Sequence, residues 1–300
     1  MSLALVATPK VAIIVLNYNG QNCLLGCLAS LERLRYTNKE VVVVDNGSED
    51  ESVAAAKERF PHYTYLLNGQ NLGFAAGMNS GIRLSLARGA QWIWLFNNDA
   101  EAMDDALEKL MAAAESEEHA GLLSPLIREK GSDKIWFGKG QIEFLRMRAI
   151  HTPPQAEELR QKWYQSQFLT GCALLVSKEV FETIGLFDER FFLYYEDVDF
   201  SLRARGSGFR PIVVPAAIVR HVEQSRENPE KLYSLVLSGL LFFAKHGNFW
   251  QRLYYGVYVT MRRIKNVLDR VRGKESAYIV RRAYDDFFHG NRPSSFSCFR

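Results

Sequence analysis

The sequence predicts an α/β fold: a doubly wound, mixed sheet with helices on both faces, followed by a helical extension. Three observations predict it. Short unbroken apolar runs rich in β-branched residues stand at Val11 to Leu16 and Val41 to Val44, as in strands covered on both faces. Segments of helical period separate them, and polar clusters sit at their carboxyl ends, where open sheets of this class bind ligands. With 300 residues, 47% of them hydrophobic, and 19 Phe and 13 Tyr, the chain has ample material for a packed core, which excludes a disordered or collagen-like polymer.

Each element follows from local chemistry. Leu24, Leu28 and Leu31 recur at helical spacing after the first strand. After the second, Ser48 and Glu51 read as a capping box for a helix carrying Val53, Ala56 and Phe60. A third strand at Tyr63 to Leu67 turns through Asn68 and Gly69 into a helix from Ala75 to Arg88, stopped by Gly89, and a fourth strand follows at Trp92 to Phe96. Residues 128–167 lose the alternation around Gly131, Gly138, Gly140, Pro153 and Pro154, the pattern of a hairpin and a lid-like connection. A strand from Phe168 to Val176 leads to a Ser177-capped helix ending at Gly185, then a helix from Asp197 to Arg205 and a strand at Pro211 to Val214. Beyond Pro229 the pattern is helical throughout, giving a domain at 1–228 and an extension at 229–300.

Charge divides the chain at nearly the same place. Residues 231–300 carry 13 Lys/Arg against 4 Asp/Glu, although the whole chain is only +3. Leu253, Val257, Met261, Ile264, Leu268 and Val271 form one helical stripe with Arg252, Arg263, Lys265, Arg270 and Arg272 beside or opposite it. Such a helix over 250–272 suits an anionic membrane surface or a protein contact, including an oligomer through these helices. The longest uncharged stretch there, Leu232 to Ala244, has 13 residues, short of the ~20 needed to span a bilayer. Met1 to Lys10 lacks the basic-then-apolar pattern of a secretory signal, so a cytoplasmic protein, peripheral at the inner face of the plasma membrane, is expected. Cys23, Cys27, Cys172 and Cys298 include no Cys-x-x-Cys pair and read as reduced structural thiols. No nucleic-acid partner is expected.

Several clusters can do chemistry. Asn97, Asn98 and Asp99 follow a strand and offer oxygens suited to Mg²⁺ or Mn²⁺, or to an Asx turn. Asp45, also at a strand end, can accept hydrogen bonds from a nucleobase and a ribose. Asn71, Gly73, Gly77 and Asn79 surround a helix start, which suits anion binding by backbone amides or simple helix entry. Glu196, Asp197 and Asp199 follow the apolar and aromatic run Phe191 to Tyr195, a setting that raises a carboxyl toward the range of a general base, while Arg203 offers a structural partner. His221 can ligate a metal or contact a phosphate.

In order, these segments resemble glycosyltransferase family 2, and in particular its bacterial rhamnosyltransferase-like branch. The resemblance runs through Val15-Leu16-Asn17-Tyr18-Asn19-Gly20, Val43-Val44-Asp45-Asn46-Gly47-Ser48 and Asn71-Leu72-Gly73-Phe74-Ala75-Ala76-Gly77-Met78-Asn79. It continues with Phe96-Asn97-Asn98-Asp99-Ala100, Thr170-Gly171-Cys172-Ala173 and Tyr195-Glu196-Asp197-Val198-Asp199-Phe200-Ser201-Leu202-Arg203. It covers about residues 10–225 and implies a GT-A fold, a nucleotide-diphosphate-sugar donor (dTDP-rhamnose or a UDP-sugar) and a divalent metal. It implies further that Asn17, Tyr18, Asn19, Asp45, Asn71, Gly73, Asn79 and Asn98 bind the donor and that Asp99 and His221 hold Mg²⁺ or Mn²⁺. Thr170, Gly171 and Glu196 would border a saccharide or polyprenyl-linked acceptor, and Asp197 would deprotonate its hydroxyl in an inverting transfer that builds cell-surface polysaccharide. Asn97-Asn98-Asp99 replaces the family's Asp-x-Asp, so the metal site carries one formal charge fewer. A nicotinamide-dependent oxidoreductase is excluded, because the loop after the first strand has only Gly20 where a glycine fingerprint belongs. A sugar-phosphate nucleotidyltransferase would need a basic, Gly-rich loop there, and a non-catalytic sugar-nucleotide-binding protein would not need Glu196-Asp197.

Overall fold

The computed structural model describes residues 8–222 and 229–290. The elements run β1 (Val11–Asn17), α1 (Leu24–Glu32), β2 (Lys39–Asp45), α2 (Ser52–Arg59), β3 (Thr64–Leu67), α3 (Gly73–Ala87), β4 (Trp92–Asn97), β5 (Ala100–Ala102), α4 (Ala106–Ser116), β6 (Leu122–Glu129), β7 (Ile135–Phe137), β8 (Lys139–Glu143), β9 (Arg148–Thr152), β10 (Tyr164–Gln165), β11 (Ala173–Ser177), α5 (Lys178–Ile184), α6 (Glu196–Gly206), β12 (Pro211–His221), α7 (Pro229–His246), α8 (Phe249–Val271) and α9 (Ser276–His289).

The main sheet has the order β10-β12-β6-β11-β4-β1-β2-β3. β1 to β4 are parallel to one another, and β11 inserts antiparallel between β4 and β6. Ile13, Ile14, Val42, Val43, Leu95 and Trp94 are fully buried, because helices cover both faces of these strands, as the unbroken apolar runs require. The register pairs Asn17 with Asp45 and Leu16 with Asn97. One edge of the sheet therefore carries the polar ends of β1, β2 and β4.

Four local expectations change. Ser48 does not cap a helix: its hydroxyl donates to Asp45 Oδ1 at 2.6 Å, and α2 begins after Glu51 with no side-chain cap. Ser177 does precede α5, but its hydroxyl makes no capping bond. Strand pairing starts only at Ala173, since Gly171 and Cys172 form a turn and the Gly171 amide is spent on Asp197. β12 continues past Pro215 to His221, with a shift in register against β6 between Val214 and Ile218. The expected hairpin is β8–β9, pairing Lys139 with Thr152. α4 and β6 were not expected; the buried Leu107, Leu110 and Met111 of α4 show the helical period that marks such an element.

α7 packs into the main core through Phe242 and Phe243. Its end is clamped to α6, where fully buried Asp199 meets Arg203 (2.9 Å), Lys245 (2.6 Å) and His246 (2.6 Å). α8 and α9 join α7 through two smaller clusters, Tyr233–Leu237–Ala283 and Leu240–Val259–Tyr284. Asn248 opens α8 with a capping box completed by Gln251.

Candidate active site

The site is a cleft of about 910 Å³ at the polar edge of the sheet. Its floor starts from Asn17, which is fully buried and so does not itself line the cleft. Its amide donates to Asp45 Oδ1 (3.3 Å), Ser48 Oγ (3.1 Å) and Ser52 Oγ (2.9 Å), and its carbonyl accepts from Asn98 Nδ2 at 2.9 Å. Asn17 thus joins the tips of three strands and sets Asn98, while half-exposed Tyr18 and Asn19 face the cleft. Asn19 adopts φ +50°, a left-handed conformation that asparagine tolerates, and its Oδ1 accepts from the Glu49 amide. Asp45 is largely buried against the same network and accepts from both the amide and the hydroxyl of Ser48.

Asp99 and His221 lie 122 positions apart in sequence, yet β5 pairs with β12 so that Ala100 faces His221. The imidazole Nε2 comes to 3.2 Å from Asp99 Oδ1. That approach is not aligned as a hydrogen bond, and Asp99 Oδ1 is buried without a hydrogen-bond partner; the ring nitrogen on the other side of the imidazole from this approach, Nδ1, is also buried without one. Buried polar atoms are rarely left so, and a carboxylate oxygen beside an imidazole nitrogen is a donor set that a divalent cation accepts. The residues fit the ion. No cluster of three or more His, Cys, Asp or Glu occurs among the described residues, so Asp99 and His221 are the two side chains that would hold the ion, with Asn97 and Asn98 in the same cleft. Trp136 lies against His221 with centroids 4.4 Å apart, fixing the ring plane.

Across the cleft, Glu196 and Asp197 open α6. Tyr194 and Tyr195 before them take φ +68° and +65°, two successive left-handed residues without glycine, each costing roughly 1–2 kcal/mol. Strain of this kind collects at functional sites, and here it turns the chain so that both acids reach the cleft. Asp197 accepts from the Gly171 amide (2.9 Å) through Oδ2 and from the Val198 amide (2.8 Å) through Oδ1. Burial raises its pKa above the usual aspartate value, against the lowering effect of these amides. Glu196, only 4% exposed, is raised well above the ordinary glutamate range by burial and then by the charge of Asp197. Two neighbouring carboxyls in one poorly hydrated site are the arrangement that produces a base working near neutral pH. Asp199 is instead structural: burial alone would raise it, but His246, Lys245 and Arg203 hold it below the usual value.

Thr170 and Gly171, expected to border the acceptor, line the cleft beside Asp197. The remaining wall was not anticipated as such: Trp136, the β9 residues Ala149, Ile150 and His151, Tyr194 and Tyr195, and Lys231 and Leu235 of α7. No pattern in 148–152 marks the three from β9, since the alternation is lost there. Cys27 and Cys172 are buried with their thiols pushed up by burial, so neither suits nucleophilic work.

Besides Asn17, three expected donor contacts fall away. Asn71 and Gly73 form no anion-binding turn, because the amides there are taken: Leu72 N donates to Asn46 Oδ1, Gly73 N to Asn71 Oδ1, and Phe74 N to Phe192 O. Gly73 serves packing, since at φ +82° a Cβ would lie 2.5 Å from Phe192 O. Asn79 is buried and holds Phe187 by both its amide and carbonyl groups, with Glu189 as a third partner.

The sequence model described as Glycosyl transferase family 2 matches residues 12–185, more than half of the chain. The chain is similar to an N-acetylglucosaminyl-diphospho-decaprenol L-rhamnosyltransferase of Mycobacterium tuberculosis, 29% identical over 268 residues that cover 81% of this chain and 87% of the relative. It is also similar to a dTDP-rhamnosyl transferase of Shigella flexneri, 27% identical over 67% of this chain and 65% of the relative. Among solved structures, a mannosyltransferase of Pyrobaculum calidifontis in complex with GDP-Man and Mn²⁺ matches with a TM-score of 0.58 and 16% identity, over 96% of this chain and 89% of that one. At that identity the likeness speaks for the fold.

Proposed function

The chain belongs to glycosyl transferase family 2, and from that premise we propose that it is a metal-dependent, inverting enzyme that moves a sugar from a nucleotide diphosphate to a polyprenyl-linked saccharide. The observation that carries the reading is the cleft in which Asp99, His221 and Asp197 all face one space. Residues 1–228 form its catalytic domain, and 229–300 an extension whose first helix completes the core. Tyr18, Asn19 and Asn98 border the donor, with Asp45 behind them for the base or ribose. Rhamnose carried on dTDP is the favoured donor, on the strength of the two rhamnosyltransferase relatives.

Asp99 and His221 would hold Mg²⁺ or Mn²⁺, and the bound ion supplies compensation for negative charge on the departing diphosphate. Asp197 accepts the proton of the acceptor hydroxyl as the oxygen approaches the anomeric carbon from the face opposite the leaving group, so configuration inverts. Burial keeps that proton acceptor basic, while Glu196, raised further by burial and by the charge of Asp197, stays neutral beside it. Trp136 and Phe168 line the cleft as apolar walls that exclude water, which would otherwise compete as acceptor.

The test is release of nucleotide diphosphate from dTDP-rhamnose and from UDP-sugars, with a polyprenyl-diphosphate saccharide as acceptor, in Mn²⁺ and in chelator. Product in Mn²⁺, its loss in chelator, and a raised Mn²⁺ requirement in His221→Ala support the reading. Equal turnover with chelator present would remove the metal from it, and failure of every sugar nucleotide to react would remove the donor assignment.

A further inference from the structure

α8 divides its surface in a way the catalytic cleft does not explain. Val259 and Asn266 are buried against the neighbouring helices, while Trp250, Leu253, Val257, Met261, Ile264, Leu268 and Val271 are 51–82% exposed among the described residues. These seven follow one helical stripe about six turns long, far more contiguous apolar surface than scattered exposed residues provide. Residues 249–290 also carry nine Lys/Arg against four Asp/Glu.

The basic residues are not only dispersed. Arg263, Arg270 and Arg281 line a pocket of about 250 Å³ between α8 and α9, together with Val267 of the apolar side and with Asp285. Arg281 pairs with Asp285 (3.3 Å), and Arg270 lies over the Tyr278 ring at 5.5 Å with its Nε buried and without a hydrogen-bond partner. An arginine nitrogen left so beside an apolar face suits a phosphate held at the edge of a hydrocarbon layer. A second copy of this chain would present the same excess of positive charge, so charge complementarity favours an anionic bilayer over self-association.

The face is also tied to the cleft. Tyr254 and Tyr258 donate to the carbonyls of Leu145 (2.8 Å) and Arg146 (3.3 Å) in the β8–β9 turn, where Leu145 is 76% exposed. The strand after that turn supplies Ala149, Ile150 and His151 to the cleft wall.

We propose that the exposed apolar stripe of α8, with the arginine pocket beside it and Leu145 at the hairpin tip, docks on an anionic phospholipid surface and seats one wall of the cleft against it. The docking needs no assumption about the sugar transferred. It is tested by co-sedimentation of the full chain with vesicles of pure phosphatidylcholine or with added phosphatidylglycerol, in low and high salt. Binding to phosphatidylglycerol vesicles, weakened at least tenfold by Ile264→Glu with Leu268→Glu and by raised salt, is expected. Arg263→Gln with Arg281→Gln should lessen the preference for phosphatidylglycerol while leaving the thermal melt in place, because both residues are exposed. Inorganic phosphate at millimolar concentration should not displace the protein. Undiminished vesicle binding by the stripe variant overturns the proposal. So does a wild-type chain that ignores vesicles but sediments as a dimer that Ile264→Glu with Leu268→Glu dissolves, since the stripe would then belong to a second copy.

Discussion

Replacing Asp197 by Asn separates catalysis from folding in one step. The side chain keeps its size, and its single carbonyl oxygen can still accept from the Gly171 amide, 2.9 Å away in the native site. The Val198 amide, which donates to the other carboxylate oxygen, then loses its acceptor, at a cost of about 1–3 kcal/mol if no water replaces it. Against this, the variant removes a carboxylate whose ionisation burial already disfavours, and relieves the charge beside Glu196. The melting temperature should therefore move by only a few degrees in either direction. Catalysis should not survive as well, because loss of a general base typically lowers the rate by ~10²- to 10⁴-fold. The assay is steady-state transfer at saturating donor, alongside calorimetric donor binding in Mn²⁺. The turnover number should collapse with donor affinity unchanged, and the acid limb of the pH–rate profile should vanish. In the native enzyme that limb lies above the ordinary aspartate range: the base works when ionised, so the rate falls as pH drops through the raised value. Turnover within tenfold of wild type, or a parallel loss of donor affinity, would refute the role given to Asp197.

The neighbouring groups give further expectations. Glu196, raised further than Asp197, is neutral while Asp197 ionises, so Glu196→Gln should leave the acid limb of the pH–rate profile in place. The variant should also gain stability relative to wild type as pH rises above ~4.3, the usual glutamate value, because the native carboxyl is raised in the fold and its ionisation is a growing penalty; denaturant melts at pH 4 and 8 check the sign. Gly73→Ala puts a Cβ against Phe192 O at a left-handed φ, and chemical denaturation should show a loss of at least ~1–3 kcal/mol. Lys245→Ala takes one of three partners from buried Asp199. With Arg203 and His246 remaining, the loss should lie toward the low end of the ~3–5 kcal/mol for a broken buried pair. Because Asp199 is lowered in the fold, its contribution is present above ~3.9 and lost as pH falls through the lowered value, so Lys245→Ala and wild type should converge in acid.

What could be read in advance was what is local. The runs at Val11 and Val41 are apolar because both sheet faces are covered, so strand identity and the ligand edge follow from composition alone. Asp99, Asp197 and Tyr18 stand at strand or helix ends for the same reason. Asn71, Gly73 and Asn79 misled because a turn that binds an anion and a turn that binds its own backbone use the same residues. Only the coordinates of Phe187 and Phe192, more than 100 positions onward, decide between them. Asn17 was placed on the surface of the cleft, whereas register with both neighbours buries it beneath Asn98. The pairing of Asp99 with His221 depends on β5 finding β12, a contact that no periodicity encodes.

The same distinction between local and distant contacts bears on the extension, which lies beyond the residues 12–185 matched by the family model. Tyr194 and Tyr195 cannot hold two left-handed residues by their own preference. They are held by what packs on them: the Tyr195 ring lies 5.3 Å from Phe242 and 6.0 Å from Phe243, and the Ser238 hydroxyl donates to Leu193 O at 2.8 Å. All three partners are on α7, and α7 is locked in turn by Lys245 and His246 on Asp199, in the same helix as Asp197. The carboxylate that meets the acceptor is therefore aimed by residues some 40 to 50 positions further along the chain. A chain cut after residue 228 should lose transfer activity even with a soluble acceptor that needs no surface, whereas one cut after His246 should retain transfer to that acceptor while losing surface docking and the Tyr254 and Tyr258 bonds to the β8–β9 turn, provided each is shown to be folded by circular dichroism. Full activity in the shorter chain would mean that the tyrosine pair holds its strained backbone unaided.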